Sequence, residues 1–317
     1  MQASTSNLFF SADWVQRARA TSADDEVFAA MAAELRRRCE ELLDPSADRY
    51  LDPDDLESRW WQSRNGNKQL ICAVADLGFA ARFFEDNHYP QLAQAVLHNL
   101  VQHDMTENCG RKAGMTPTGG RDGWHSHMDC AHAAELLGLA LDWLRPAIGE
   151  DDGRGIAEYV SRFTRGLVKH NTPIRNQDPP NLINAIVIGK VGEGEGAITL
   201  ARWGLMDATP HVEHACRAAL QYLEEGGHDE GILNEGPMYG FGVLKHISVL
   251  AGMLSGLGDD RLWESEAWDR IVEAYCSQML PDGRLNMLND AYDQQTNSWL
   301  LAAARHRRNG LARWLWQ

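Results

Sequence analysis

The sequence predicts an all-α fold, and two observations predict it. Apolar residues recur at helical spacing in almost every segment, and no run alternates apolar and polar residues with a period of two between turn signals. The Gly, Pro, Asn and Asp clusters fall between the periodic stretches, where helices should end. With 317 residues, 44% of them hydrophobic, the chain can bury a large core. A single domain over 1–317 is expected.

Taken in order, Ser11-Ala-Asp-Trp14 reads as an N-cap and first turn, and Ser22-Ala-Asp-Asp-Glu26 caps a helix running to about Leu43, which Asp44-Pro45 ends. Leu70, Ile71, Val74, Leu77, Ala80, Ala81 and Phe84 mark one wide buried stripe. A turn at Asp86-Asn-His-Tyr-Pro90 leads to Leu92, Ala95, Val96 and Leu100 on the next helix, which makes an antiparallel hairpin. From Asn108 to Gly123 the chain is Gly, Pro, Thr and charge, a long loop of the kind that compact domains keep for function.

Helices resume from about His125 to Leu144 and from Asp151 to His170. After the loop Asn171–Pro180, another starts at Asn181. Further helices are expected over Pro210–Glu225, Tyr239 to about Leu257, Trp263–Leu280 and Thr296–Trp316. Helical hairpins joined by alternating short turns and long loops suggest a ring or a superhelix. No sequence repeat marks a solenoid of the TPR or ankyrin type. Gly189, Gly192, Gly194 and Gly196 share one helix, where each exposed glycine costs about 1 kcal/mol relative to alanine. Such a helix is either broken there or lies so close to its neighbours that side chains do not fit, and the crowding of inner helices in a ring favours the second.

Composition excludes several partners. The net charge of −15 argues against nucleic acid and anionic membrane. No apolar run is long enough to span a bilayer. The six cysteines are widely spaced with no CxxC pair, so they read as small buried hydrophobes or free thiols. The start of the chain lacks a basic segment followed by an apolar one, so a cytoplasmic protein is expected, or a periplasmic or secreted one if the N-terminus is processed.

Candidate chemistry falls at helix starts. In Asn234-Glu235-Gly-Pro-Met-Tyr239, Pro237 suits a first helical turn and puts Tyr239 at the positive end of a helix dipole. A phenol there is stabilised as phenolate and can act as base and acid; the same residues also suit a buried tyrosine beside an N-terminal charge. Asn181 and Asn184 lie one turn apart, so both amides could face a cleft, although Asn181 is also a good N-cap. Arg121, Trp124, His125 and His127 offer donors and a stacking face at another helix start. Trp60 and Trp61 could line a carbohydrate groove, and Asn289 lies in a polar loop that begins Pro281-Asp-Gly. His211-Val-Glu-His214 has helical spacing but no third ligand nearby in sequence, and reads as a solvated face. No metal and no cofactor are expected.

Together these stretches resemble the N-terminal helical domain of the heparinase II/III-like polysaccharide lyases. Four features carry the resemblance: the Trp124-led helix ending Leu137-Gly-Leu-Ala-Leu-Asp-Trp-Leu144, the start Asn181-Leu-Ile-Asn-Ala-Ile-Val-Ile-Gly189, the loop Glu235-Gly-Pro-Met-Tyr239, and Pro281-Asp-Gly with Asn289-Asp290. The resemblance implies an incomplete (α/α) toroid of antiparallel helical hairpins, β-elimination on glycans that contain uronic acids, and an acidic oligo- or polysaccharide as partner. It implies Tyr239 as base, acid or both, Asn181 holding the substrate carboxylate with Asn184, and supporting roles for His125, Glu235 and Arg121. The chain departs from the family at Leu182, where many members carry Asn or His, and the family's C-terminal β-sandwich is expected to lie outside these 317 residues. The alternatives are an (α/α) glycoside hydrolase using Asp129 and Glu235, and a glycan-binding scaffold without catalysis.

Overall fold

The computed structural model describes residues 12–56, 60, 64–102, 124–174, 182–227, 229–279 and 298–316. Among these the chain forms twelve α-helices: α1 (Ala12–Asp24), α2 (Glu26–Leu43), α3 (Arg64–Phe84), α4 (His88–Gln102), α5 (Trp124–Leu144), α6 (Glu150–Asn171), α7 (Asn184–Arg202), α8 (Thr209–Glu225), α9 (Gly236–Ser255), α10 (Ala267–Ser277), α11 (Ser298–His306) and α12 (Gly310–Trp316). The described residues contain no strand, and their β-type pairing is an isolated antiparallel bridge between Gly227 and Leu233. The all-α expectation holds.

Several boundaries move for local reasons. Within the expected capping stretch 22–26 the cap of α2 is Asp25, whose Oδ1 accepts from the N–H groups of Val27 and Phe28 at 2.9 and 3.1 Å. The helix expected from Trp263 begins at Ala267, because Trp263 sits in a preceding turn, buried against Trp268 and stacked on His306. The tail is two helices rather than one. Arg308 takes a left-handed φ of 53°, and Asn309 Oδ1 then accepts from Ala312 N–H at 2.9 Å to start α12.

Helix α7 is the centre of the packing. It touches α5, α6, α8 and α9, and every residue from Val187 to Leu200 is buried. A Cβ at Gly192 would lie 2.5 Å from Ala131 Cβ and 2.8 Å from its Cα, one at Gly194 2.5 Å from Ala215 Cβ, and one at Gly196 2.1 Å from Thr164 Oγ1. The glycines are therefore close-approach positions, as the sequence suggested.

Contacts between these helices fix their directions. Lys68 meets Asp129 and Gly78 meets Ala140, so α3 and α5 run parallel. Gly192 meets Ala131, Thr199 meets Gly138 and Arg202 meets Asp142, so α5 and α7 run parallel. Asn184 meets Glu235, and eleven residues further along each chain Glu195 meets His246, so α7 and α9 run parallel as well. Helix α6 runs the other way against α7: Asn171 touches Glu193, Thr164 faces Gly196, and Gly153 faces Trp203. The first turns of α3, α5, α7 and α9 accordingly lie toward one end of the molecule, and so do their positive dipole ends. Among the described residues no helix is long and apolar enough to cross a membrane.

Candidate functional site

The helix expected from Asn181 begins at Asn184, after Ile183 in the cap position, and no side chain of its own caps it. The acceptor comes from elsewhere. Glu235, the residue before α9, accepts from the Asn184 backbone N–H through Oε2 at 2.6 Å. A carboxylate there satisfies one orphan donor and sits at the favourable end of the α7 dipole. Burial raises the Glu235 carboxyl above its ordinary range, and the Asn184 N–H opposes that rise. Tyr239 follows in the first turn of α9, half-buried.

The remaining sequence candidates distribute unevenly. Asn184 is buried at 4% exposure, so it belongs to the floor under the helix starts rather than to an open rim. Trp60 is also 4% exposed and part of the core, which overturns its assignment to a groove; a large apolar ring gains more from burial than from an open surface. Arg121, Asn181 and Asn289 lie outside the described residues, as do the side chains of Trp124 and His125 in the first turn of α5. Asp129 is fully buried with its Oδ1 3.1 Å from Lys68 Nζ.

Near the same end, Tyr222 of α8 is 1% exposed, and its hydroxyl has no hydrogen-bond partner among the described residues. Burial first, and then the Glu235 charge, push its phenol well above the usual range. It is a neutral donor beside Glu235 that the sequence reading did not single out.

Deeper along α7 lie two buried carboxylates, Glu193 and Glu195, both at 0% exposure. Residues two apart on an α-helix project about 200° apart, so the pair serves opposite sides. Glu193 reaches α6 and α8: Asn171 Nδ2 donates to it at 2.8 Å, His211 Nδ1 lies 2.7 Å away and His214 Nδ1 3.4 Å away. Burial raises the Glu193 carboxyl, but the bonds from His211, His214 and Asn171 outweigh it and hold the group far below the ordinary range. The expectation of a solvated face at His211–His214 is therefore overturned. His214 is 5% exposed, and the acidic partner comes from another helix.

Glu195 reaches His246 of α9, which also meets Glu135 of α5. His246 Nδ1 lies 2.9 Å from Glu135 Oε2 and 3.5 Å from Glu195 Oε2, and the His132 ring sits 4.7 Å from the His246 ring. Burial raises both carboxyls, but the closer His246 holds Glu135 ionised while Glu195 is driven up toward its protonated form. Burial, then the charge on His246, drops His132 to about 3, which keeps its imidazole neutral. Ligand atoms of His132, Glu135 and His246 all lie within 4.8 Å of one another, the spacing of a metal-compatible donor set.

One signal could have found these residues. In Gly192-Glu-Gly-Glu-Gly196 the glycines already imply a crowded helix, so the glutamates between them have nowhere to go but the interior. No protein-family model and no curated protein matches this sequence.

Proposed function

We propose that the chain is a polysaccharide-lyase-like protein that cleaves glycans containing uronic acids by β-elimination, and that its hairpins form an incomplete (α/α) toroid of the heparinase II/III-like kind. The observation that carries this reading is the bond from Asn184 N–H to Glu235 Oε2, which ties the start of α7 to the start of α9, the helix whose first turn contains Tyr239. Parallel α3, α5, α7 and α9 with an antiparallel return in α6 agree with inner and outer layers of a toroid.

A chain with net charge −15 must bind an acidic glycan through local positive potential. Gathered helix N-termini supply it, since their dipoles and the N–H groups that Glu235 does not take favour a carboxylate. In the proposed reaction Asn181 and the helix ends hold the uronate carboxylate and so make the C5 proton acidic. Tyr239 as phenolate takes that proton, the C5 electron pair forms the C4–C5 double bond, and the bond from C4 to the glycosidic oxygen breaks. The Tyr239 hydroxyl then returns its proton to the departing oxygen. Trp124, His125, Arg121 and Asn289 are proposed to line the sugar path, and Glu235 positions the junction rather than reacting.

The burial of Asp129 against Lys68 weighs against a hydrolase that would need it as an open carboxylate. The test is incubation of the full chain with alginate, heparin, chondroitin sulfate and polygalacturonate, following the ultraviolet absorbance of an unsaturated uronate. Absorbance that grows with wild type and stops growing with Tyr239→Phe supports the reading. Reducing ends without that absorbance would replace it with hydrolysis.

A further inference from the structure

The His132, Glu135, Glu195 and His246 cluster has no part in the proposed elimination. Glu135 and His246 stand about eleven residues into α5 and α9, roughly 16 Å below the helix starts at 1.5 Å per residue. Two carboxylates at 2% exposure or less are costly in a protein interior unless a positive charge neutralises them. The described residues offer them few hydrogen bonds. Both oxygens of Glu195 and both ring nitrogens of His246 are buried and lack a hydrogen-bond partner of proper geometry.

We infer that His132, Glu135 and His246, with Glu195 beside them, bind one transition-metal dication of the Zn2+ type and that the ion clasps α5, α7 and α9 together. Two imidazoles and carboxylate oxygen form the borderline donor set that suits zinc, cobalt or iron(II) over calcium or magnesium. Charge balances, because two carboxylates neutralise the dication and both imidazoles enter neutral. Glu195 Oε2 lies 3.5 Å from His246 Nδ1, close enough to add its charge to the site. His132, with a quarter of its side chain exposed, gives the ion its way in. Burial on the other sides leaves no open position for substrate, so the site is structural.

The rival account fills the same cluster with protons: His246 as imidazolium on Glu135, and Glu195 protonated. Metal binding must expel those protons, which separates the two accounts in one titration. The full chain is stripped with a chelator, dialysed and titrated with Zn2+ in two buffers of different ionisation enthalpy, with Co2+ absorption as a second readout. The inference expects one ion per chain, proton release on binding, a raised unfolding midpoint and a Co2+ spectrum of nitrogen and oxygen ligation. His246→Gln should abolish stoichiometric binding, and Glu195→Gln should weaken it at least about tenfold. His211→Gln, which alters the separate Glu193 network, should leave it intact. No stoichiometric binding by the wild-type chain, or binding undiminished in a folded His246→Gln variant, overturns the inference. The lyase reading does not depend on either result.

Discussion

Asn184 and Glu235 stand 51 positions apart in the chain, yet the backbone N–H of the first donates to the carboxylate of the second at 2.6 Å. The bond makes one helix start the cap of another. Whatever occupies the end of the domain where α7 and α9 begin meets a surface whose geometry this pair fixes.

The cap has a separable cost. Glu235→Ala removes the acceptor and should destabilise the fold by about 1 kcal/mol, the usual loss when a capping side chain is deleted. Glu235→Gln keeps an oxygen in place and should cost less. Urea midpoints of the two variants check the order, and equal losses would mean that the charge rather than the acceptor matters.

Glu193 anchors three helices at once. Glu193→Ala removes the buried carboxylate that Asn171, His211 and His214 share, and should cost about 3–5 kcal/mol. Equilibrium unfolding followed by circular dichroism measures it. A loss under about 1 kcal/mol would show that water or a rearranged neighbour replaces the carboxylate.

Glycine substitutions should change sign with position. Gly155 is exposed on α6 with open space around its Cβ direction, so Gly155→Ala should stabilise by about 0.5–1 kcal/mol. Gly192→Ala places a methyl group against the Ala131 backbone, and the overpacking, about 1–3 kcal/mol, should exceed the propensity gain. Thermal midpoints of both variants, each against wild type, should move in opposite directions.

Asp269 gives the pH dependence. Burial raises its carboxyl, but hydrogen bonds from Arg307 at 2.5 Å and Asn309 at 2.7 Å outweigh that and lower it overall. A depressed carboxyl contributes stability that is present above the unfolded value of about 3.9 and lost as pH falls through the folded one. Asp269 is 38% exposed at its side chain, so screening limits the effect to about 1 kcal/mol or less. The stability gap between wild type and Asp269→Asn should stay constant from about pH 5 to 8 and close below about pH 4.

The helices were legible because most of them have a wet side. Where one face is polar, as on α6 with its acidic first turn and basic last turn, periodicity marks both the helix and its buried stripe. Helix α7 has almost no wet side, so its period marks no face, and Glu193 and Glu195 could not be assigned to partners from spacing alone. His211 and His214 looked like a surface pair because the third member of their group comes from another helix. The convergence of the Asn184 and Glu235 segments was legible as two similar helix starts. The substitution of a remote carboxylate for a local cap was not, since no local rule specifies an acceptor 51 residues away.

We propose that Tyr239, in the first turn of α9, moves the proton in an elimination on a uronate. The most direct measurement is the formation of unsaturated uronate from acidic glycans by wild type and by Tyr239→Phe, with circular dichroism confirming that both are folded. The account predicts product from wild type on at least one polyuronate and a loss of at least about a hundredfold in the variant, the scale of general acid–base catalysis. Equal rates in the two proteins, or no unsaturated product from any of these glycans, would contradict it.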